Sequence, residues 1–329
     1  MPYDYKLMNK KLTINKIKRA ITSAKQIAVI SHQGPDGDAL GSLTALAEVL
    51  QIWQKPYSLF CVTPAPETFT WLPNIAQLQT DPQIFNKYRF DLIIIIDSGS
   101  LVYAGVAELL TNLDYKYQLL NIDHHASNNG YGDINYVDIK ASSTCEIIYN
   151  LIRAWQFPLN KNIATSLLNG IMTDTGMLTN PATSDHSLII ASRLMKFGAN
   201  IQKITTRNMR NKSTDMLKLW GIALERLVYN PDLHSVATCL TQEDFKKLAI
   251  TSDSLDGLAN FLSQLKNVNF TMVLVEQPDQ IIKGSLRTTL DNIDVSALAA
   301  ELGGGGHRKA AGFTISGKLL FNENGINII

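Results

Sequence analysis

Cysteine is scarce in this sequence. There are three in 329 residues, Cys61, Cys145 and Cys239, far apart and with no CxxC pair. That excludes a disulfide framework and a structural zinc knuckle, and it fits reduced thiols in a cytoplasm. An excess of charge is missing as well: 30 Lys plus Arg stand against 29 Asp plus Glu, a formal net charge of +1. Proteins that track duplex nucleic acid gain affinity by neutralising many phosphates, so this balance argues against duplex binding but leaves room for a small local phosphate site. Long apolar runs are also absent. The most apolar stretch, LIIII at residues 92–96, is far too short to span a bilayer, so no membrane association is expected. The N-terminus, MPYDYKLMNKKLTINKIKRA, has lysines but no apolar signal-peptide core. A cytoplasmic protein is the expectation.

What is present is an ordinary globular composition, 45% hydrophobic and 18% charged, in a chain long enough for one large or two ordinary domains. QIAVIS, YSLFCV, DLIIIID and QLLNID are short, near-continuous apolar runs separated by helical or polar stretches. Such alternation indicates a parallel sheet covered by helices on both faces. Ser143 with Glu146 reads as a capping box opening the helix STCEIIYNLIRAW, and Ser184 as the cap of a helix ending near Gly198. After about residue 200 a helical connection leads into a second α/β unit. That unit holds a strand HSVATCLT, a helix begun by Thr241, and a hairpin turning at Pro278-Asp279. The expected division is a first domain over residues 1–190, a helical connector over 191–215 and a second domain over 216–329.

Ligands of open α/β sheets bind at the carboxyl ends of the strands. SHQGPDGDALGS puts His32, Asp36 and Asp38 just past the first strand. DLIIIID puts Asp97 at the end of another, QLLNIDHH puts Asp123, His124 and His125 at the end of a third, and GIMTDTG puts Asp174 where a helix gives way to a turn. Any one of these has a bland reading as a turn residue or a satisfied core histidine. Their joint placement does not, because five converging carboxylates without cations would repel and force some to protonate. Two divalent cations would keep them ionised. Mixed imidazole and carboxylate donors suit Mn²⁺, with Mg²⁺, Co²⁺ or zinc as competitors. Two such ions clamp the attacking and leaving oxygens of a phosphoryl displacement, so the segment points to metal-assisted hydrolysis of a phosphate ester.

A second cluster is ELGGGGHRKAAGF. Gly303, Gly304, Gly305 and Gly306 end a helix and let backbone N–H groups approach an anion. His307, Arg308 and Lys309 follow, and Arg287 sits in the neighbouring strand. The run follows a helix instead of a strand, so it is no dinucleotide-binding fingerprint, and a pocket for a phosphate or nucleotide terminus fits better. His186 and His234 read as surface residues, the four tryptophans as core or interface, and no GxSxG elbow supports a serine hydrolase.

With these motifs in this order, the chain resembles the DHH/DHHA1 phosphoesterases, and among them the small two-domain, NrnA-type oligoribonucleases (nanoRNases) and 3′-phosphoadenosine 5′-phosphate (pAp) phosphatases. The resemblance implies an N-terminal DHH domain with a mainly parallel sheet and a smaller α/β DHHA1 domain with a mixed sheet. It implies one metal on His32, Asp36 and Asp97 and another on Asp38, Asp97, His124 and Asp174, with Asp97 bridging. Asp123 would orient a ligand, His125 would face the scissile phosphate, and Arg287, the four glycines, His307 and Arg308 would hold the nucleotide. Tyr103 stands where members of the family often carry an arginine. The implied substrates are short single-stranded oligonucleotides, pAp or dinucleotides, without duplex nucleic acid and with homodimerisation left open. Linear pApA or cyclic-di-AMP as main substrate, and a non-catalytic nucleotide-binding module, are the rival expectations.

Overall fold

The computed structural model describes residues 2–209, 213–250, 257–322 and 325–329. Residues 210–212 of the expected connector, and 251–256 and 323–324 of the expected second domain, lie outside the described residues. The chain divides into two compact units, Met1–Asn211 and Lys212–Ile329.

The first unit opens with helix α1 (Pro2–Ser23), followed by β1 (Ile27–Ser31), α2 (Gly37–Ile52), β2 (Tyr57–Phe60) and β3 (Leu78–Gln79). Short α3 (Ile84–Lys87) leads to β4 (Leu92–Ile96), and short α4 (Ala107–Thr111) to β5 (Gln118–Asp123) and β6 (Ile134–Val137). Four helices close the unit: α5 (Thr144–Ala154), α6 (Lys161–Asp174), α7 (Asp185–Lys196) and α8 (Ile201–Met209).

The six strands form one parallel sheet in the order β3-β2-β1-β4-β5-β6. Alternate residues of each strand serve opposite faces. Ile27 and Val29 of β1, with Leu92, Ile94 and Ile96 of β4, enter the core beneath α1, α2, α5 and α6. Ala28, Ile30, Ile93 and Ile95 enter a second core with Phe60, Phe85 and Phe90. All five β4 residues are buried, which is why that strand reads as an unbroken apolar run. Burying each isoleucine stabilises the fold by about 1.5–3 kcal/mol in transfer terms.

Two glycines let α2, α5 and α6 approach closely. A Cβ on Gly41 would lie 2.6 Å from the Ser166 carbonyl oxygen, and one on Gly170 would lie 2.7 Å from Asp38 Oδ1. The start of α5 is half of the expected capping box. Ser143 accepts from the Glu146 N–H at 3.1 Å, but the Glu146 carboxylate turns to Ser142, taking its N–H at 3.1 Å and its hydroxyl at 2.7 Å. Ser184 does cap α7, in a reciprocal box with Ser187, and Gly198 follows that helix at φ 95°.

The second unit contains α9 (Thr214–Glu225), β7 (Val228–Asn230), β8 (Ser235–Leu240), α10 (Gln242–Leu248) and α11 (Leu258–Leu262). Then come β9 (Phe270–Gln277), β10 (Ile281–Arg287), α12 (Val295–Glu301), β11 (Gly305–His307), β12 (Ala310–Ser316), β13 (Leu319–Asn322) and β14 (Gly325–Ile328). Its main sheet runs β11-β12-β10-β9-β8-β7 and is mixed, with only β8 and β9 parallel. The β9–β10 hairpin turns through Pro278 and Asp279, the latter at φ 62°. Thr241 and Asp244 cap α10 reciprocally. Among the described residues, no helix is long and apolar enough to cross a membrane.

Candidate active site

Strand order reverses direction at β1: the chain passes outward to β2 and β3, then returns to β4 on the other side of β1. A doubly wound sheet opens a crevice at the carboxyl ends of such neighbouring strands. His32 follows β1 and Asp97 follows β4, so both sit at that switch point. Asp97 adopts φ 57°, a left-handed conformation unusual outside glycine, while its N–H is held by the Ile122 carbonyl at 3.0 Å.

Around Asp97 the donors form three overlapping groups, His32–Asp36–Asp97, Asp38–His124–Asp174 and Asp97–His124–His125, each with ligand atoms within 4.8 Å of one another. His32 Nε2 lies 3.9 Å from Asp36 Oδ1 and 3.8 Å from Asp97 Oδ2. His124 Nε2 lies 3.3 Å from Asp174 Oδ2, 3.6 Å from Asp97 Oδ1 and 4.0 Å from Asp38 Oδ2. Ligand bonds of about 2.0–2.2 Å place two donors on one ion roughly 3–4 Å apart, and these separations have that span. Both imidazoles turn Nδ1 to a backbone carbonyl, His32 to Gln33 at 2.9 Å and His124 to Ala141 at 3.4 Å, which presents Nε2 to the cluster.

Backbone and hydroxyl donors hold the carboxylates. Asp36 caps α2 by accepting from the Asp38 and Ala39 N–H groups. Asp38 is fully buried and accepts from the first N–H groups of α5, Thr144 at 2.6 Å and Cys145 at 2.9 Å, where the helix N-terminus favours negative charge. The Thr144 hydroxyl donates to Asp97 Oδ1 at 2.8 Å. Even so, burial and then the Asp97 charge push the Asp38 carboxyl well up, burial and Asp36 raise that of Asp97, and burial and Asp38 raise that of Asp174 strongly. No lysine or arginine pairs with these three among the described residues. Buried, mutually repelling carboxylates with imidazoles interleaved are a donor set that fits divalent cations.

Asp123 is organised differently. It accepts from His125 Nδ1 at 2.7 Å, from its neighbour's N–H at 2.8 Å and from Asn128 Nδ2 at 2.6 Å. Burial acts against charge on His125, but the Asp123 hydrogen bond and the charges of Asp97 and Asp123 outweigh it and push its pKa up to about 9.

The structure therefore brings together all the residues His32, Asp36, Asp38, Asp97, Asp123, His124, His125 and Asp174. It adds three that spacing alone does not reveal: Thr144, the Cys145 N–H, and Asn128, which also reaches the Ser98 carbonyl at 3.1 Å. The signal for Thr144 was the helix-start sequence SST, which marks N–H groups seeking an anion.

In the second unit, Arg287 closes β10 with Nε on Asn260 Oδ1 and Nη1 on the Leu286 carbonyl, both at 2.9 Å. The glycines have unlike roles. Gly303 takes φ 74° where the chain leaves α12, and a Cβ on Gly304 would run into the Gly312 carbonyl oxygen. Gly306 has φ 142° and packs on the β12 backbone, whereas a Cβ on Gly305 would meet open space. His307 ends β11, an edge strand. Two of the basic residues turn to Asp291: Arg308 Nη2 donates to its carbonyl at 3.0 Å, and Lys309 Nζ lies 2.9 Å from its carboxylate as an ion pair.

Two family domains match this chain, the DHH family N-terminal domain over residues 26–171 and the DHHA1 domain over residues 236–324. It is 30% identical to the probable bifunctional oligoribonuclease and PAP phosphatase NrnA of Streptococcus mutans, over 87% of this chain and 88% of that one. It is 26% identical to the cyclic-di-AMP phosphodiesterase PdeA of Listeria monocytogenes, covering 88% of this chain but 45% of the longer protein. Among solved structures, an exopolyphosphatase-related protein from Bacteroides fragilis superimposes with a TM-score of 0.86 at 26% identity, over 92% of this chain and 90% of that one.

Proposed function

The chain belongs to the DHH/DHHA1 family and is a hydrolase of the phosphoesterase type; on that premise we propose that it cleaves short oligoribonucleotides to mononucleotides and pAp to AMP, using two divalent cations. The observation that carries this reading is the set of buried carboxylates and imidazoles around Asp97. His32, Asp36 and Asp97 would hold one cation, and Asp38, Asp97, His124 and Asp174 would hold the other, with Asp97 common to both sets. Nitrogen and oxygen donors together favour Mn²⁺, with Mg²⁺ or Co²⁺ able to substitute.

When bound, such ions supply Lewis acidity toward a phosphoryl oxygen and an attacking water, and they balance the carboxylate charge. The protein's own groups do the positioning. Thr144 and the start of α5 fix Asp97 and Asp38. Asp123, itself held by Asn128, fixes the orientation of His125, which contacts the scissile phosphate. In the second unit, Arg287, the Gly303–Gly306 backbone, His307 and Arg308 are the nucleotide-binding groups. A non-catalytic nucleotide-binding module would not need the complete donor set.

Likeness to a cyclic-di-AMP phosphodiesterase favours keeping dinucleotides in view. A panel of pAp, a dinucleotide, a pentanucleotide and cyclic-di-AMP, each with Mn²⁺, tests the assignment. Turnover of pAp and the short oligomers well above that of cyclic-di-AMP is expected. Preference for cyclic-di-AMP would move the assignment to the alternative, and no turnover of any member would overturn it.

A further inference from the structure

Next to the candidate metal centre, one aromatic ring is placed in a way that metal binding does not require. Tyr103 stacks on the imidazole of His32, with centroids 5.0 Å apart and planes inclined by 26°. A ring lying face-on against a neighbour spends one face there. Yet Tyr103 remains 48% exposed, so much of the rest of the ring meets solvent. With one face on His32 and much of its surface in solvent, the ring can meet a second planar group.

Its position is fixed by the backbone. The Tyr103 N–H donates to Ser100 Oγ at 3.0 Å, and its carbonyl accepts from the Gln33 N–H at 3.4 Å. The loop turns next through Gly105 at φ 74°, where a Cβ would lie 2.8 Å from Val62 Cγ2. The ring is thus presented by a tied loop joined to the His32 segment, and its orientation is set before any ligand arrives. Preorganised aromatic faces of this kind take planar ligands at low entropic cost.

We propose that Tyr103 is a substrate-binding residue whose exposed ring face stacks on the nucleobase flanking the scissile phosphate. This rests on the reading of the centre as a nucleotide phosphodiester site. The ring abuts His32, a proposed cation ligand, so a nucleobase flanking a phosphodiester engaged there is the planar group at hand. Stacking is tolerant of base identity because every base has a π-face, which suits an enzyme acting on mixed-sequence fragments. An alternative in which Tyr103 only shields His32 from water makes a different forecast, because shielding is indifferent to whether the substrate has a base.

The test compares a normal dinucleotide with two dinucleotides that each lack one base, in the wild type and in Tyr103→Ala, Tyr103→Leu and Tyr103→Phe, with Mn²⁺ present. In the wild type, loss of the base on one side should lower kcat/KM by about 5- to 150-fold, the range of base–aromatic stacking. Tyr103→Ala and Tyr103→Leu should erase that penalty, by slowing the intact substrate to the rate of its abasic counterpart, whereas Tyr103→Phe should retain it. An undiminished penalty in the alanine variant overturns the proposal, as does an equal slowing of intact and abasic substrates by alanine. Absence of hydrolysis of every dinucleotide by the wild type is a different failure: it sinks the phosphodiesterase reading itself, and this inference with it.

Discussion

The Thr144 hydroxyl donates to Asp97 Oδ1 at 2.8 Å, tying the start of α5 to the residue that follows β4. The same helix start gives two N–H groups to Asp38. Two carboxylates on separate segments are therefore oriented by one helix end before any cation arrives. A divalent cation entering the site would find its donors placed, with the cost of bringing the carboxylates together carried by the fold.

Asp97→Asn tests the bridge directly. The amide removes charge from the donor shared by both proposed ion positions. Hydrolysis of every phosphate ester should fall by at least about 10³-fold, comparable to losing a main electrostatic stabiliser. Calorimetric titration with Mn²⁺ should show two ions in the wild type and fewer in the variant, with the circular dichroism spectrum unchanged. Near-normal turnover in Asp97→Asn would refute the two-cation assignment.

The glycine-rich segment separates folding from binding at single positions. Gly304→Ala drives a methyl onto the Gly312 carbonyl, so it should lower the melting temperature of the protein. Gly305→Ala meets open space, so it should leave stability within about 0.5 kcal/mol of wild type, as surface changes usually do. If backbone N–H groups there approach a phosphate, Gly305→Ala should still raise KM for pAp and for dinucleotides. His307→Ala should do the same, while both variants keep their activity on bis-p-nitrophenyl phosphate. Equal loss on that small diester would mean that the segment supports the fold or the metal site instead.

How far the sequence discloses this site depends on the kind of contact. Asp97 and Asp123 were legible because each ends an apolar strand, and burial of both sheet faces makes such strands continuous runs of Ile and Leu. The convergence of His32 and Asp38 follows from parallel topology, which sends strand ends to one edge, whereas Asp174 ends α6 and arrives through the close packing of α6 on α2. The Thr144–Asp38 contact spans 106 positions and uses a backbone N–H, which no residue type announces. Glu146 had the spacing of a capping box, yet competing donors on Ser142 and the His186 ring, whose Nδ1 lies 2.8 Å away, draw its carboxylate elsewhere. The sequence places Arg308 and Lys309 beside the glycines without showing their partners. Asp291, 17 positions before Arg308, engages both Arg308 and Lys309.

The second unit carries its own test of stability. Arg226 grips Asp244 through two hydrogen bonds of 2.6 and 2.8 Å, and Thr241 adds its N–H and hydroxyl. Burial alone would raise the Asp244 carboxyl, but the Arg226 contact outweighs it and holds the group below the usual carboxylate range. A depressed folded-state pKa contributes stability that is present above the unfolded value and is lost as pH falls through the folded one. Asp244→Asn should therefore destabilise the protein by about 1.5–3 kcal/mol at pH 7, the range for hydrogen bonds to charged groups. The gap from wild type should close as pH drops below about 4. A denaturation series from pH 7 to pH 3 measures both, and a gap that stayed constant would contradict the ion-pair account.

Substrate length follows from charge. Affinity for single strands falls with salt by roughly 0.7 log units per log unit for each phosphate neutralised. This chain has a net charge of +1, and Asp291 already engages two of the basic residues beside the glycine segment. With so balanced a charge, only two or three phosphate contacts are expected of the proposed nucleotide-binding residues. Each nucleotide beyond those contacts adds negative charge without a partner, so it should contribute nothing to binding. Measured from two to about twenty-four nucleotides at two salt concentrations, kcat/KM should peak at the short end and show a shallow salt slope. Activity that climbed with length and collapsed in salt would mean many neutralised phosphates and a processive exonuclease, and it would overturn the short-substrate reading.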